Sequence, residues 1–152
     1  MMSDEVIQLL QKAYSDEMET IMNYLTNSIV LDGVRAQEVK EGLRQDATQE
    51  EIQHAQMIGE RLKQLDARPP ASGEFVARQD SLQPPEDPAD VVSVIDGVIK
   101  AEDDAIQTYR SLIKAAEAAD DPVSEDLAVE ILADEEAHRT EFKSYRREYG
   151  DN

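Results

Sequence analysis

The chain of 152 residues contains no cysteine. This absence excludes disulfide bonds, thiolate-bound zinc or iron sites and cysteine nucleophiles. The sequence also lacks a run of about 18 apolar residues, so it predicts no membrane-spanning helix. Residues 1–5 (MMSDE) are acidic, whereas a secretory signal peptide begins with basic residues. We therefore expect a cytoplasmic protein with no membrane partner.

Basic residues are scarce: 15 Lys and Arg stand against 34 Asp and Glu, for a formal net charge of −19. Non-specific nucleic-acid binding depends on basic side chains that neutralise phosphates, so we expect no nucleic-acid partner. A surface of one sign attracts ions of the other sign, here cations. The simplest interpretation of most of this charge is a solvated surface adapted to high salt, where screening relieves self-repulsion, as in a halophilic organism.

Proline is almost confined to one segment, because five of the six prolines lie within residues 66–88. This segment is not expected to form a core element. Apolar residues recur at helical spacing in four long segments, about 3–31, 34–65, 89–118 and 122–149. Ser3 is the predicted N-cap of the first helix, Gly33 follows its end, and Asp121-Pro122 begins the fourth.

The link lengths predict how these helices are arranged. A few residues join the first helix to the second and the third to the fourth, so each pair forms an antiparallel hairpin. A helix of 30 residues is about 45 Å long, whereas 20 extended residues reach up to about 66 Å. Residues 66–88 can therefore cross the whole bundle. We predict an all-α fold, one four-helix-bundle domain over residues 1–152 with a long crossover between helices two and three.

The chain has only two histidines, and each stands three residues after a glutamate. The two pairs are Glu51 with His54 and Glu135 with His138. Residues three apart lie on the same face of a helix, one turn apart. Each pair can therefore present a carboxylate oxygen and an imidazole nitrogen to one point in space.

Both pairs belong to a longer repeat. Glu17, followed seven residues later by Tyr24, precedes the first pair, and Glu102, followed seven residues later by Tyr109, precedes the second. The second copy follows the first by 84 or 85 residues. The chain thus reads as two similar hairpins that contribute equivalent residues to one site.

Four glutamates lie on the apolar stripes near the middle of the predicted helices: Glu17, Glu51, Glu102 and Glu135. Burying four carboxylates is prohibitive unless cations or protons neutralise them. Two divalent cations supply +4 against −4, and neutral imidazoles add nitrogen ligands without charge. Carboxylate and imidazole ligands suit iron or manganese, are compatible with zinc and suit calcium less well. The pattern therefore predicts a di-metal centre.

These motifs, together with residues 131–138 (ILADEEAH), resemble the ferritin-like superfamily, and bacterioferritin and rubrerythrin-type bundles most closely. The resemblance extends over nearly the whole chain. It implies a ferroxidase-type di-iron enzyme that oxidises two ferrous ions with dioxygen or peroxide, for iron storage or detoxification. It also implies a role for each motif residue: Glu17 and His54 bind one iron, Glu102 and His138 bind the other, Glu51 and Glu135 bridge them, and Tyr24 and Tyr109 donate hydrogen bonds that orient the carboxylates.

Three departures from the family pattern refine this expectation. Ile52 stands where bacterioferritin has its haem-ligating methionine, so we predict no haem there. Ala105 stands where rubrerythrin has an additional glutamate, which argues against rubrerythrin-type peroxide reduction. Only 14 residues follow His138, whereas cage-forming ferritins usually have a fifth helix, which argues against a closed cage.

Several alternatives remain open at this point. The chain could be another di-metal enzyme, such as a peroxidase, a manganese catalase-like protein or an oxygenase, or a non-catalytic iron-binding protein. An apolar face left on the first two helices favours a homo-oligomer, at least a dimer. The simplest interpretation of the remaining acids in the motif helices is a solvated face; these acids are Glu50, Glu130, Asp134, Glu136 and Glu141. Met18, Met22 and Met57 are interpreted as core residues.

Overall fold

The computed structural model describes residues 4–150, which contain helices and no β-strand. The α-helices are α1 (Asp4–Val30), α2 (Gln37–Gln45), α3 (Ile52–Gln64), α4 (Val91–Ala118) and α5 (Pro122–Arg147). A π-helical turn, Asp46–Glu51, joins α2 to α3, so residues 37–64 form one rod. Short 3-10 turns occupy Val34–Ala36 and Asp80–Leu82. The four rods form a bundle, which confirms the predicted all-α fold with its long crossover.

The second helix differs from the prediction. A continuous helix was expected over about 34–65, but a 3-10 turn precedes α2 and the π turn separates α2 from α3. A π turn adds one residue to a helical turn. Apolar periodicity over some 30 residues is too coarse to reveal this insertion. The other helix boundaries agree within two residues, and the predicted N-cap Ser3 lies outside the described residues.

Local sequence signals explain where α4 and α5 begin. The Asp90 carboxylate accepts a hydrogen bond from the Ser93 backbone N–H, and Asp121 accepts one from the Ser124 N–H. Each satisfies a backbone donor that has no partner within the helix. Pro122 occupies the first turn of α5, where its missing N–H costs nothing.

Two apolar clusters lie at different levels of the bundle. The first includes Leu31, Leu43, Ile95 and Phe142, and the second includes Leu10, Ile58, Leu112 and Ile131. Along every rod, the chain passes from one cluster to the other through a buried polar stretch near its middle. The apolar clusters therefore hold the four rods together above and below a polar layer.

The methionine prediction is wrong for two residues of α1. Met18 is 39% exposed and Met22 is 61% exposed, whereas both were expected in the core. They belong to an apolar face of α1 that the other rods do not cover. Among residues 4–150, no helix is both long and apolar enough to cross a bilayer.

Replacement of Asp121 by alanine should destabilise the fold. Asp121 caps α5 and also accepts a 2.7 Å hydrogen bond from the guanidinium of Arg61 on α3. We expect the Asp121→Ala variant to lose about 2–3 kcal/mol of unfolding free energy at pH 7, measured by urea denaturation, because a cap and a charged hydrogen bond disappear together. The exposed Asp126, changed to alanine, is the control and should cost less than about 0.5 kcal/mol.

The hydrogen-bonded pair of Asp121 and Arg61 also predicts that the stability of the protein depends on pH. Burial raises the pKa of Asp121, but Ser124 and Arg61 outweigh it and hold that pKa below its ordinary value of 3.8. The stabilisation is therefore complete above about pH 4 and is lost as the pH falls through the folded-state pKa. The wild type and Asp121→Ala should converge in stability in strong acid. An undiminished difference there would contradict this assignment.

Candidate metal centre

The polar layer of the bundle contains all six acidic and histidine residues that the repeat predicts as ligands. Each is at most 3% exposed. Glu17 comes from α1, Glu51 from the end of the π turn, His54 from α3, Glu102 from α4, and Glu135 and His138 from α5. Residues separated by more than 120 positions in the chain thus meet at one point of the bundle.

The six side chains form two overlapping groups, each able to surround one metal ion. One group contains Glu17, Glu51, His54 and Glu135, and the other contains Glu51, Glu102, Glu135 and His138. Within each group, the potential ligand atoms lie within 4.8 Å of one another. Glu51 and Glu135 belong to both groups, so each could contribute one carboxylate oxygen to each ion.

The two histidines point their Nδ1 atoms into this site. Nδ1 of His54 lies 3.2 Å from Glu135 Oε1, and Nδ1 of His138 lies 3.3 Å from Glu51 Oε1. Among the six residues, each Nδ1 atom is therefore closest to the glutamate of the other Glu-x-x-His motif. The two motifs interlock across the bundle, and the ring centroids are 6.5 Å apart.

Every one of the six residues has one buried atom without a hydrogen-bond partner in the described part of the chain. These atoms are Glu17 Oε2, Glu51 Oε1, His54 Nδ1, Glu102 Oε2, Glu135 Oε1 and His138 Nδ1. Buried polar atoms are normally paired, because an unpaired one costs about 1–3 kcal/mol. The six residues that carry these atoms are the ones that form the two overlapping groups, and together they supply a donor set that two divalent cations would satisfy. The residues present therefore fit a di-metal centre.

The two tyrosines hydrogen-bond to glutamates of the opposite half of the chain. The Tyr24 hydroxyl donates to Glu102 Oε1 and the Tyr109 hydroxyl donates to Glu17 Oε1, each at 2.6 Å. Burial and the adjacent glutamates raise the pKa of both tyrosines well above its ordinary value, which keeps the hydroxyls protonated as donors. Each tyrosine orients one carboxylate, and the crossed pairing joins the two hairpins.

Two acids interpreted from the sequence as solvated instead contact the outer nitrogens of the histidines. Asp134 Oδ2 lies 2.8 Å from His54 Nε2, and Glu50 contacts His138 Nε2. Both side chains remain nearly half exposed, as a solvated face requires, but their contacts with the histidines were not predicted. The sequence did contain a signal: in both copies an acid directly precedes the shared glutamate of the Glu-x-x-His motif.

The π turn brings another acid to the same region. Asp46 is 5% exposed, its Oδ2 has no hydrogen-bond partner in the described chain, and its Oδ1 lies 3.8 Å from His138 Nε2. Burial raises the pKa of Asp46 to about 7. Short π-helical segments are frequent at functional sites. Sequence reasoning missed Asp46, because its proximity to His138 depends on the π turn.

Without cations, bound protons must neutralise the negative charge of the buried carboxylates in this cluster. Burial and the neighbouring Glu17 raise the pKa of Glu51 well above its ordinary value, and burial and Glu102 do the same for Glu135. Burial lowers the pKa of His138, but Glu102 and other carboxylates outweigh this effect and raise it to about 11. Cations that bind here would therefore displace protons.

Comparison with known proteins supports the resemblance. Residues 7–149 match the Ferritin family, described as a ferritin-like domain. The bacterioferritin of Desulfovibrio desulfuricans is 28% identical over 142 residues, which cover 92% of this chain and 73% of that protein. An X-ray structure of Desulfovibrio desulfuricans bacterioferritin, described with its diiron site in different catalytic states, is 26% identical, with a TM-score of 0.75 over 93% of this chain and 77% of that one.

A more distant structure has the same fold. A ferritin-like, diiron-carboxylate protein from Bacillus anthracis is 21% identical, with a TM-score of 0.83 over 96% of this chain and 100% of that one. The family match covers nearly the whole chain, including both hairpins and the crossover. This chain belongs to the ferritin-like family.

Proposed function

We propose that the protein binds two ferrous ions in the polar layer and oxidises them with dioxygen or peroxide, as an iron-storage or iron-detoxification protein. The observation that carries this proposal is the set of six buried, unpaired ligand atoms, one from each predicted ligand. The relationship to bacterioferritin, which in Desulfovibrio desulfuricans has a diiron site, favours iron over manganese or zinc.

The two overlapping groups support the following assignment of ligands. Glu17 and His54 would hold one iron, Glu102 and His138 the other, and the shared glutamates Glu51 and Glu135 would bridge them. Four carboxylates then balance two divalent ions, which removes the cost of burying them. When bound, two ferrous ions supply one electron each to the oxidant.

Hydrogen bonds with the surrounding residues would orient the proposed ligands. A carboxylate that accepts a hydrogen bond from Nε2 of a histidine holds the proton on that nitrogen and leaves Nδ1 free to bind metal. Asp134 would do this for His54, and Glu50 for His138. Tyr24 and Tyr109 each donate a hydrogen bond to one oxygen of a terminal glutamate, which would fix the orientation of that carboxylate in the site.

Removing one terminal ligand should abolish iron oxidation. We expect Glu102→Gln to slow aerobic oxidation of added ferrous iron at least about 100-fold, and Asp134→Asn to slow it about 10-fold through the orientation of His54. The exposed Glu117 of α4, changed to Gln, is the matched control and should leave the rate unchanged. The measurement is the absorbance of the ferric product after stopped-flow mixing.

Wild-type oxidation no faster than the buffer control would contradict ferroxidase activity. Iron bound at two ions per chain without oxidation would favour a non-catalytic iron carrier. Faster peroxide consumption with manganese than with iron would favour a catalase-like enzyme. Oxidation without a growing ferric particle would contradict storage.

Because Glu51 is a buried carboxylate, its replacement by glutamine should have opposite effects on stability in the metal-free and the metal-bound protein. In the metal-free protein, Glu51 must either stay protonated or be ionised at a cost in desolvation. The unfolding free energy of the metal-free protein therefore falls as the pH rises above 4.5 towards the raised folded-state pKa of Glu51. We expect Glu51→Gln to stabilise the metal-free protein by about 1–2 kcal/mol at pH 8, because it removes a buried ionisable group. The same substitution should abolish most of the rise in melting temperature caused by anaerobic ferrous iron.

Thermal unfolding with a chelator, and then with ferrous iron, measures both effects. The exposed Glu60 of α3, changed to Gln, is the control and should alter neither value. A Glu51→Gln variant that is less stable than the wild type without metal would contradict the assigned electrostatics.

We also propose that a second copy of the chain covers the apolar face of α1. Met18, Met22 and Ile29 recur at helical spacing, and Ile29 is 71% exposed. Ile52, the first residue of α3, is 51% exposed. Exposed apolar patches of this kind mark protein–protein contacts, and oligomers of one chain are mostly symmetric dimers or multiples of them.

A charge placed in this face should dissociate the oligomer. We expect Met22→Asp to shift the protein to a smaller sedimentation coefficient than that of the wild type, since an aspartate cannot be buried against an apolar partner surface without a large cost. Val129 on α5, 48% exposed and outside this face, changed to Asp is the control and should sediment like the wild type. A wild-type protein that sediments as a monomer would contradict the proposal.

A further inference from the structure

A cavity of about 680 Å³ lies between α1 and α4 and reaches the metal centre. We call it the α1–α4 cavity. Its inner wall includes the proposed ligands Glu17, Glu102 and Glu135, together with Tyr109. Iron ions and dioxygen need far less room, since a water molecule takes about 30 Å³. Sites for small organic ligands occupy about 300–1,000 Å³, so this cavity is of the size that holds an organic molecule.

Small side chains keep this space open. Ala13 of α1 and Ala101 and Ala105 of α4 all line the cavity. Ala105 stands three residues after Glu102, so its methyl group lies one helical turn from a proposed ligand and on the same face. Larger side chains at these positions would occupy the approach to the metal centre, which makes them the points at which access can be tested.

The crossover forms the outer wall, and buried polar residues of α1 hold it in place. Glu19, only 3% exposed, accepts hydrogen bonds from the backbone N–H groups of Arg78 at 2.9 Å and Gln79 at 2.7 Å. The Gln79 amide donates to Thr20 Oγ1 at 2.7 Å. Glu19 and Thr20 take no part in the proposed metal centre. Their hydrogen bonds to the crossover instead fix the wall of the cavity.

The same wall is fastened to α4. The Ser81 hydroxyl donates to the Gly97 carbonyl at 3.0 Å. A Cβ atom at Gly97 would lie 2.0 Å from the Ser81 carbonyl oxygen, so only glycine allows this approach. The crossover is thus attached to both helices that flank the cavity, and the cavity has three defined walls.

The outer part of the cavity is polar but balanced in charge. Its charged residues are Lys12, Arg78, Lys100, Asp16, Asp80 and Asp104. Three of these are basic and three acidic, in a chain where acids outnumber bases by 34 to 15. Lys12 Nζ donates to Asp16 at 2.7 Å and to Thr108 at 3.1 Å. This region therefore offers hydrogen-bond donors and acceptors to a polar molecule.

We propose that the α1–α4 cavity binds a small polar organic molecule with an oxygen-donor group, next to the Glu17–Glu102 edge of the metal centre. The cavity size, the polar walls and the proposed ligands at its inner end together carry this inference. It rests on the proposed di-iron function and adds to it an organic ligand class that reaches the same centre.

Acetohydroxamate is a suitable probe, because it carries oxygen donors and gives a visible absorption band when it binds ferric iron. Azide serves as a smaller probe. Each protein is loaded with two iron ions per chain, oxidised in air, freed of unbound iron by gel filtration and titrated with each probe. We expect the wild type to bind both probes. Ala105→Leu should bind azide normally but acetohydroxamate at least tenfold more weakly.

The controls separate this inference from the function on which it rests. Ala118→Leu makes the same change at an exposed position of α4 outside the cavity, and should behave like the wild type. Ala101→Leu is the second blocking variant if Ala105→Leu does not fold. Failure of the wild type to bind iron would contradict the proposed function. Iron-loaded wild type that does not bind acetohydroxamate, or a blocking variant that binds it undiminished, would overturn the inference.

Discussion

Burial of four carboxylates and two imidazoles between two apolar clusters is the constraint on which this structure depends. The clusters hold the rods together, but they also exclude water from the polar layer, so every charge in it must be balanced locally. Each of the six side chains has one buried atom there without a hydrogen-bond partner in the described part of the chain. The proposed metal binding would therefore couple to the stability of the bundle, because the same carboxylates that burden the metal-free core would become ligands of the cations.

The two halves of the chain complete each other. Tyr24 of the first hairpin holds Glu102 of the second, and Tyr109 of the second holds Glu17 of the first. The histidines follow the same rule, since Asp134 contacts His54 across the bundle. One hairpin alone contains both motif types but lacks the partners that orient them. The internal duplication thus produces one site with approximate twofold symmetry, whose two halves are joined by crossed hydrogen bonds, and not two separate sites.

The two sides of the centre differ in chemistry. On the α3 and α5 side, the histidines face outward towards acids, among them the buried Asp46 at the π turn. On the α1 and α4 side, the proposed ligands border a cavity whose outer part contains three basic and three acidic residues. The glutamate that holds the crossover, Glu19, is buried on this second side. The two sides of the centre therefore present different side-chain chemistry.

The sequence by itself determined the helix count, the hairpin pairing, the long crossover and the six residues that meet at the centre. These follow from period, link length and spacing, which are local properties of the chain. Tertiary structure alone decided three features. The crossed partners of Tyr24 and Tyr109 depend on which rods are neighbours, and the π turn before Ile52 adds a residue that apolar periodicity does not register. The cavity depends on how closely the crossover approaches Gly97, which is a distance between segments and not a property of either one.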